Sequence, residues 1–338
     1  MISFLDCTHR DGGYLNGFSF TSEETYELSA YLSSCKIPFI EVGHGLGLGA
    51  SGAKFGYARE SDQQYILDAV SGAGLSSIGA FAIPSVATID DIKSCIECGM
   101  QFIRVGCSPN DFSSCRDFVR SVVDLPLKVY VNLMKTYTLP VVEIFSIVSE
   151  LLDLGIDGFY VVDSAGCMLP RDINACMDSL SSLNSNMQFG FHGHNNLGMA
   201  LATSLEAVQC GANMIDTTVG GIGRMGGNTQ FEVFCKLCRL SQIQTGLEEK
   251  NIRDPHEVLC EELLCQSPYI RHIQYTLGAA GIHSSSLPMI EEIAQKKGIS
   301  ADRIIALLGS YERINPTVEL TELIVDTLLL PFEKFKAG

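Results

Sequence analysis

The sequence is poor in positive charge and contains no long apolar run. Its 338 residues include 23 lysines and arginines against 39 acidic residues, a formal net charge of −16. Because nucleic-acid backbones and anionic membranes bind clustered cations, this balance argues against both partners. No stretch reaches eighteen consecutive apolar residues, and the N-terminus lacks the basic-then-apolar pattern of a secretion signal. We therefore expect a cytoplasmic protein with no membrane or nucleic-acid partner.

Charged residues of both signs are scarce, which excludes a disordered chain. Only 18% of the residues are charged and 46% are hydrophobic, so the chain can bury a large core. The 13 cysteines are an odd number, and with this core they indicate reduced thiols rather than a disulfide framework. Two Cys-x-x-Cys pairs, Cys95/Cys98 and Cys235/Cys238, lie far apart in helix-like stretches. We interpret them as small buried hydrophobic residues, not as a zinc site.

Eight short apolar runs alternate with segments of helical periodicity. The predicted strands are 2–8, 38–43, 77–83, 102–107, 127–134, 158–164, 188–194 and 214–219, and the helices include 23–35, 89–98, 141–154, 174–183 and 199–210. Gly99, Gly155 and Gly211 end three of these helices just before the next strand, as C-cap glycines do. Eight evenly spaced units predict an α/β protein with a (β/α)₈ TIM barrel.

The chain changes character near residue 250. A charged break at 250–255 ends in Pro255, and helical periodicity then continues through 287–297, 301–308 and 318–329 without a convincing strand. We predict a catalytic barrel domain of residues 1–250 and a small helical C-terminal domain of residues 251–338 that contributes to the active site.

Functional nucleotide-binding loops are missing. No Walker motif occurs, and although residues 47–52 satisfy Gly-x-Gly-x-x-Gly, the loop continues to Tyr57 before any helix begins. A dinucleotide fingerprint instead joins a strand directly to a helix. We predict a long loop near the barrel mouth, with Glu41 and His44 at its base.

Two motifs at the ends of distant runs combine ligands suited to a divalent metal. Asp11 follows the first run, and His192 and His194 end the seventh. One carboxylate and two imidazoles form a set that such cations accept. The two imidazoles, at i and i+2 on a strand, point the same way. In a closed eight-stranded barrel only strand 8 separates strand 7 from strand 1, so we expect the three side chains to converge at the barrel mouth.

A glycine-rich segment, 220–228, follows the eighth strand between these motifs. Its glycines allow close backbone approach to a ligand, and Asn228 offers a carbonyl oxygen to the metal. Arg10 is either an ion-pair partner of Asp11 or, if Asp11 binds the metal, free to bind a carboxylate or a developing enolate oxygen.

These motifs resemble the pyruvate-carboxyltransferase-like metallolyase superfamily, which includes hydroxymethylglutaryl-CoA lyase and isopropylmalate synthase. The shared motifs are Arg10-Asp11-Gly12, His192-Gly193-His194 and Gly227-Asn228. Within the superfamily the sequence is most similar to the 4-hydroxy-2-oxovalerate aldolase family, through segments 41–45, 163–166 and 278–285. The resemblance covers nearly the whole chain.

The chain departs from the aldolase pattern at three positions. The aldolases carry a catalytic His three residues after the metal-binding Asp and a Tyr in the C-terminal domain, where this chain has Tyr14 and His283. We interpret this as an exchange in which His283 relays the proton and Tyr14 orients or assists. Alternatively, the substrate differs and neither residue carries a proton. Leu46 replaces the usual Asp, which indicates a changed aldehyde side of the pocket.

The resemblance implies class II aldol chemistry on a 4-hydroxy-2-oxo acid, cleaved to or formed from pyruvate (or a similar 2-oxo acid) and an aldehyde. Mn²⁺ is the first choice of metal, and the ligand set also suits Mg²⁺, Co²⁺ or Zn²⁺. The implied metal ligands are Asp11, His192, His194 and Asn228; the implied catalytic residues are Arg10, Tyr14 and His283; the implied substrate-binding residues are Arg10, His44 and Ser164.

Two other functions compete with this one. The first is a Claisen-type acyl-CoA/2-oxo acid synthase or lyase of the same superfamily, which the acidic composition disfavours. The second is a non-catalytic barrel that only docks an acylating aldehyde dehydrogenase, as these aldolases do. The intact metal motifs argue against it. Such a dehydrogenase or a homo-oligomer is the expected protein partner.

Overall fold

The computed structural model describes residues 1–181, 183, 187–265 and 272–329. Eight parallel strands form a closed barrel in chain order, and β1 pairs with β8 to complete the ring. The strands are β1 Ser3–Asp6, β2 Phe39–Glu41, β3 Ser77–Ala82, β4 Phe102–Cys107, β5 Lys128–Leu133, β6 Gly158–Asp163, β7 Gln188–Gly193 and β8 Met214–Thr217. The predicted (β/α)₈ barrel is confirmed.

Helices follow the strands, and all except the first, which lies at the mouth, surround the barrel. They are α1 Thr8–Gly12, α2 Ser22–Ser34, α3 Asp62–Gly72, α4 Ile89–Glu97, α5 Phe112–Val122, α6 Val141–Asp153, α7 Pro170–Ser181, α8 Ala200–Gln209 and α9 Phe231–Leu240. Capping boxes at Thr21/Glu24 and Thr88/Asp91 set where α2 and α4 begin. The helix predicted at 174–183 begins earlier, at Pro170, a residue suited to a first helical turn.

The prediction that strand 1 extends to Thr8 is wrong. Asp6 accepts hydrogen bonds from the backbone N–H and from the hydroxyl of Thr8, both at 2.9 Å, so the chain turns away from the sheet after β1. Thr8 then begins α1, and Arg10 and Asp11 lie on this one-turn helix at the carboxyl end of the barrel.

The described C-terminal part is helical, as predicted. It contains α10 Glu261–Cys265, α11 His272–Ala280, α12 Leu287–Lys297, α13 Ala301–Tyr311 and α14 Val318–Ile324, with a π-helical turn Val325–Leu329 where the last helix was expected to continue. Its own core includes Leu277, Ile290 and Ile304, whereas Leu259 and Leu263 pack into the core of the barrel. Part of the predicted C-terminal domain therefore packs with the barrel.

The barrel interior is filled by aromatic residues at the amino-terminal end and by charged residues above them. Phe39, Phe102, Tyr130 and Tyr160 are buried within one cluster. Arg104 lies two residues beyond Phe102 on the same strand and is fully buried. Among the described residues, no helix is both long and apolar enough to cross a bilayer.

The twelve cysteines whose side chains the structure describes are free thiols. Cys95, Cys235 and Cys238 are buried in helices α4 and α9, and Cys98 is half-buried at the end of α4. The burial of these side chains within helices agrees with their interpretation as packing residues.

Candidate metal centre and active site

Asp11, His192 and His194 meet at the carboxyl-terminal mouth of the barrel. Their ligand atoms all lie within 4.8 Å of one another, and all three residues are buried. His192 Nε2 lies 3.4 Å from His194 Nε2 and 3.7 Å from Asp11 Oδ2. The structure thus brings together the three side chains that the sequence selected from α1 and the end of β7.

The ring nitrogen of each histidine that faces away from Asp11, Nδ1, lies at hydrogen-bond distance from an oxygen acceptor. His192 Nδ1 lies 2.8 Å from the Asp216 carboxylate on β8, and His194 Nδ1 lies 3.3 Å from the carbonyl oxygen of Gly227. With both acceptors on the Nδ1 side, the lone pairs of the Nε2 atoms face Asp11. A carboxylate or carbonyl on the far nitrogen is the usual arrangement behind a metal-binding histidine.

Asp11 is a charged group that lacks hydrogen-bond partners. Burial would raise the pKa of its carboxyl, but the charge of Arg10, with smaller effects from His194 and Arg224, holds that pKa well below its usual range. Both carboxylate oxygens are buried and accept no hydrogen bond. A divalent cation at the three side chains would satisfy them. The donor set therefore fits the metal that the sequence implied.

A second group of side chains has similar spacing but poorer chemistry. Cys7, His192 and Asp216 also lie within reach of one another. Burial raises the pKa of the Cys7 thiol well above its usual value, which keeps it protonated and a weak ligand. Asp216 already accepts from His192, so the group around Asp11 is the better site.

The glycine-rich loop after β8 places Asn228 beside His194. The two residues form an isolated antiparallel bridge. Asn228 Nδ2 donates to the carbonyl of Ile222 at 3.0 Å, and its Oδ1 is buried without a partner. The amide is therefore oriented with a free oxygen, as a metal ligand requires. Asn228 as the fourth protein ligand stays a prediction.

Arg10 makes ion pairs with two carboxylates, one of them Asp11, as in the first of the two sequence expectations. Its Nε lies 2.6 Å from Glu41 Oε1 and its Nη1 lies 3.1 Å from Asp11 Oδ1, so it pairs with both carboxylates. Its side chain is 6% exposed and contributes to the cavity wall. Glu41 in turn accepts from Arg104 Nε at 2.6 Å, and Arg104 also pairs with Asp216. A continuous chain of buried charges therefore joins Arg10 to His192.

A cavity of about 240 Å³ opens above these groups. Tyr14, Ser164 and His283 line it together with Arg10 and both metal-type histidines. The Ser164 hydroxyl accepts from the backbone N–H of Lys135 at 2.9 Å and keeps its own proton for a ligand. The C-terminal part of the chain thus adds His283 to a site built on the barrel.

Tyr14 and His283, the two exchanged positions, face the same cavity. Burial raises the pKa of the Tyr14 hydroxyl, which keeps it protonated. Burial, Arg224 and Lys135 lower the pKa of His283 well below its usual value, so the imidazole is neutral at neutral pH. His283 Nδ1 lies 2.8 Å from the hydroxyl and 3.3 Å from the backbone N of Ser285.

His44 does not line this cavity. Its ring is buried against Phe18, with centroids 3.7 Å apart, and its Nδ1 accepts from the backbone N–H of Leu46 at 3.1 Å. Gly45 and Leu46 form the wall instead. The structure therefore gives His44 a place beneath the loop, and its predicted contact with substrate is untested.

The sequence reasoning missed several groups that complete the site. Asp216 and Arg104 are charged residues within otherwise apolar, buried strands. Their presence in such strands was a sequence signal that could have identified them as part of the site. Lys135 and Arg224 also line the cavity, but each lies in a loop where its direction depends on backbone conformation. No local pattern in the sequence marks them.

The fold and the site define a (β/α)₈ barrel with ligands for a divalent metal at its mouth. A model of the HMGL-like family matches residues 1–259. A 4-hydroxy-2-oxovalerate aldolase from Pseudoalteromonas translucida is 31% identical over 338 residues, which cover 100% of this chain and 97% of that protein. One from Pseudomonas putida is 30% identical over 318 residues, covering 94% and 92%. The chain belongs to the HMGL-like family and, within it, to the group of these aldolases, which confirms the resemblance seen in the sequence.

Solved structures agree at the level of the fold. The carboxyl transferase domain of Rhizobium etli pyruvate carboxylase, crystallised with pyruvate, superposes with a TM-score of 0.75 at 14% identity, covering 99% of this chain and 62% of that one. The HMG-CoA lyase of Bacillus subtilis gives a TM-score of 0.65 at 18% identity, covering 81% and 97%. At these identities the likeness shows the barrel architecture alone.

Proposed function

We propose that this protein is a divalent-metal-dependent aldolase that cleaves or forms a 4-hydroxy-2-oxo acid, with pyruvate or a similar 2-oxo acid and an aldehyde as the other side of the reaction. The observation that carries the proposal is the buried Asp11 carboxylate, which is paired with Arg10 but accepts no hydrogen bond, facing two imidazole Nε2 atoms. The names of the relatives point to the same reaction class. Mn²⁺ is the proposed ion.

Asp11, His192 and His194 would hold the ion, with Asn228 as a further ligand. When bound, the ion supplies a Lewis acid that polarises the 2-oxo group and favours enolate formation. Arg10 lies beside Asp11 and stays charged because Glu41 and Asp11 flank it, so it stabilises negative charge that develops on the substrate. Ser164 offers its hydroxyl to the substrate carboxylate.

His283 is the proposed proton carrier. Its Nδ1 accepts from the backbone N–H of Ser285, which places the proton of the neutral ring on Nε2. Removal of the 4-hydroxyl proton by Nε2 therefore requires the other tautomer, in which Nδ1–H donates to the Ser285 hydroxyl. The lowered pKa keeps the ring neutral at neutral pH. Tyr14 stays protonated and can donate a hydrogen bond to the same oxygen.

Two further proposals concern the protein partner and the cellular location. An acylating aldehyde dehydrogenase that consumes the aldehyde is the proposed partner, by analogy with the aldolase family. A reducing, cytoplasmic location is proposed because the described cysteines are free thiols.

Exchange of the methyl protons of pyruvate with deuterated water tests the function without knowledge of the aldehyde. We expect exchange by the metal-loaded enzyme, measured by proton NMR, and its loss after chelation. A Claisen-type enzyme would exchange the acetyl protons of an acyl-CoA instead. A docking barrel would exchange neither and would purify without stoichiometric metal, and either result would refute the proposal.

A further inference from the structure

The cavity of the proposed active site carries an excess of positive charge. Arg10, Lys135 and Arg224 line it, and among the described residues no acidic side chain does. The whole chain has a net charge of −16, so this local excess runs against the composition of the protein. A divalent ion at Asp11 would increase it further. Such a surface attracts anionic ligands.

Arg224 makes one long ion pair within the described part of the chain. Its nearest acidic atom is Asp11 Oδ1, 3.9 Å from Nε, and that Nε is buried without a hydrogen-bond partner. The guanidinium carbon lies 4.8 Å from the centre of the Tyr14 ring. This contact with the ring face leaves the N–H donors of the guanidinium available for a ligand. By contrast, Arg10 is already paired with two carboxylates.

Lys135 approaches the same cavity from the loop after β5. Its backbone adopts the left-handed conformation, with φ of 55°, and its ammonium donates to the carbonyl of Ile314. It has no carboxylate at ion-pair distance in the described chain, and an ammonium has three protons to donate. Burial lowers its pKa, and the charge of Arg224 adds to this effect while the more distant Glu312 carboxylate opposes it. A bound anion would also favour the charged ammonium.

The two cations lie on the side of the site assigned to the aldehyde. Arg224 stacks on Tyr14, and the charges of both Arg224 and Lys135 act on His283. Tyr14 and His283 are the residues proposed to handle the 4-hydroxyl group. Arg10 Nη1 lies 3.1 Å from Asp11 Oδ1 and Arg224 Nε lies 3.9 Å from the same oxygen, so Arg224 stands between the metal ligand and Tyr14. A second anion would bind where the charges of Arg224 and Lys135 meet beside His283, beyond the reacting carbon.

We propose that Arg224 and Lys135 form a second anion subsite for a carboxylate or phosphate on the aldehyde half, so that the enzyme selects anionic aldehydes. The inference rests on the proposed aldolase function. Charge-assisted hydrogen bonds from a guanidinium and an ammonium supply the recognition. The apolar residues Leu46 and Phe81 line the same cavity and would contact the carbon chain between the reacting carbonyl and the anion.

Matched pairs of aldehydes test this selectivity in condensation with pyruvate. One pair is 4-oxobutanoate and butanal, and the other is glyceraldehyde 3-phosphate and glyceraldehyde. We expect kcat/KM to be at least about tenfold higher for one anionic member than for its neutral partner. The pair that shows the larger ratio identifies the anion as carboxylate or phosphate. Equal values within both pairs overturn the subsite.

Substitutions of Arg224 test whether this residue causes the preference for anionic aldehydes. Arg224→Gln should lower kcat/KM for the preferred anionic aldehyde about 10- to 100-fold more than it lowers kcat/KM for butanal, and Arg224→Lys should restore part of this difference. The control is Arg313→Gln, which removes an exposed cation that lines a separate cavity. A higher KM for pyruvate proton exchange in Arg224→Gln would overturn the proposal, because Arg224 would then bind the pyruvate carboxylate.

A binding measurement separates failure of the subsite from failure of the aldolase function. Calorimetry with the metal-loaded protein compares 2-oxoglutarate with 2-oxopentanoate, which have the same chain length and differ in the terminal carboxylate. We expect at least about tenfold tighter binding of 2-oxoglutarate, lost in Arg224→Gln. If this preference is found without pyruvate proton exchange, the subsite stands and the aldolase function fails. If exchange occurs and 2-oxoglutarate has no advantage, the subsite alone fails.

Discussion

At the scale of single residues, the site depends on how hydrogen bonds fix the state of each ligand. Asp216 and the Gly227 carbonyl select the tautomers of His192 and His194, and Arg10 keeps Asp11 charged. His283 is adjusted in a different way, because burial and nearby cations disfavour its protonation. The same cavity therefore holds a neutral imidazole beside Arg10, Lys135 and Arg224.

His283→Ala should lower kcat for cleavage of the 4-hydroxy-2-oxo acid about 10²- to 10⁴-fold, the usual contribution of a general base. Tyr14→Phe should have a smaller effect. His256→Ala, which removes an exposed imidazole, is the matched control and should keep wild-type kcat. If His283→Ala and Tyr14→Phe both retain near-normal turnover, the exchange of roles between these positions is wrong.

The pH dependence follows from the direction of the pKa shift. A base with a lowered pKa stays unprotonated as the pH falls, so kcat should hold steady through the ordinary histidine range near pH 6.5 and decline only at more acidic pH. A steady-state profile of kcat between pH 5 and 8 checks this. A fall in kcat centred near pH 6.5 that disappears in His283→Ala would contradict the assigned environment.

At the scale of elements, the loop after β8 decides whether the ligands meet. Gly227 has a φ of +78°, and a Cβ there would lie 2.1 Å from the carbonyl oxygen of Gly221. Its own carbonyl accepts from His194, and the next residue is Asn228. Glycine is therefore required both by backbone conformation and by close approach.

Gly227→Ala should weaken Mn²⁺ binding about tenfold or more and lower the free energy of unfolding by about 1–3 kcal/mol, because the loop must shift. Gly211→Ala is the control: φ is +104°, but no atom lies within 4 Å of its Cβ position. That variant should be less stable and bind Mn²⁺ normally. Equal Mn²⁺ affinity in both variants would show that the loop does not set the site.

The elements themselves could be predicted because their signals are local. Short apolar runs that alternate with helical segments, together with C-cap glycines, predicted the barrel. The order of the strands in a closed ring then predicted that Asp11 lies near His192. The end of β1 could not be predicted, since the Asp6 side chain competes with the sheet for Thr8. Nor could the orientation of Arg224, which depends on stacking with Tyr14, a residue 210 positions away in the chain.

At the scale of the whole molecule, a buried charge network links the barrel interior to the site. Arg104 on β4 pairs with Glu41 on β2 and with Asp216 on β8, and these carboxylates hold Arg10 and His192. The partners Arg104 and Asp216 are 112 positions apart, so no sequence pattern pairs them. Only closure of the ring brings them together.

Arg104→Met should lower the free energy of unfolding by about 3–5 kcal/mol, because it leaves buried carboxylates short of a partner. It should also weaken Mn²⁺ binding, since Asp216 orients His192. Arg120→Met is the control: this arginine pairs with Asp117 on the exposed face of α5, and its loss should change stability by about 1 kcal/mol or less. Urea unfolding with and without Mn²⁺ measures both effects. Wild-type stability in Arg104→Met would show that the network is not structural.

The most direct test is a titration of the metal-free protein with Mn²⁺, followed by electron paramagnetic resonance. The wild type should bind one tight Mn²⁺ ion per chain. Asp11→Asn and His194→Ala should lose that ion while keeping the circular dichroism spectrum of the folded barrel. Undiminished Mn²⁺ binding in both folded variants would contradict the account, because the ion would then be held elsewhere.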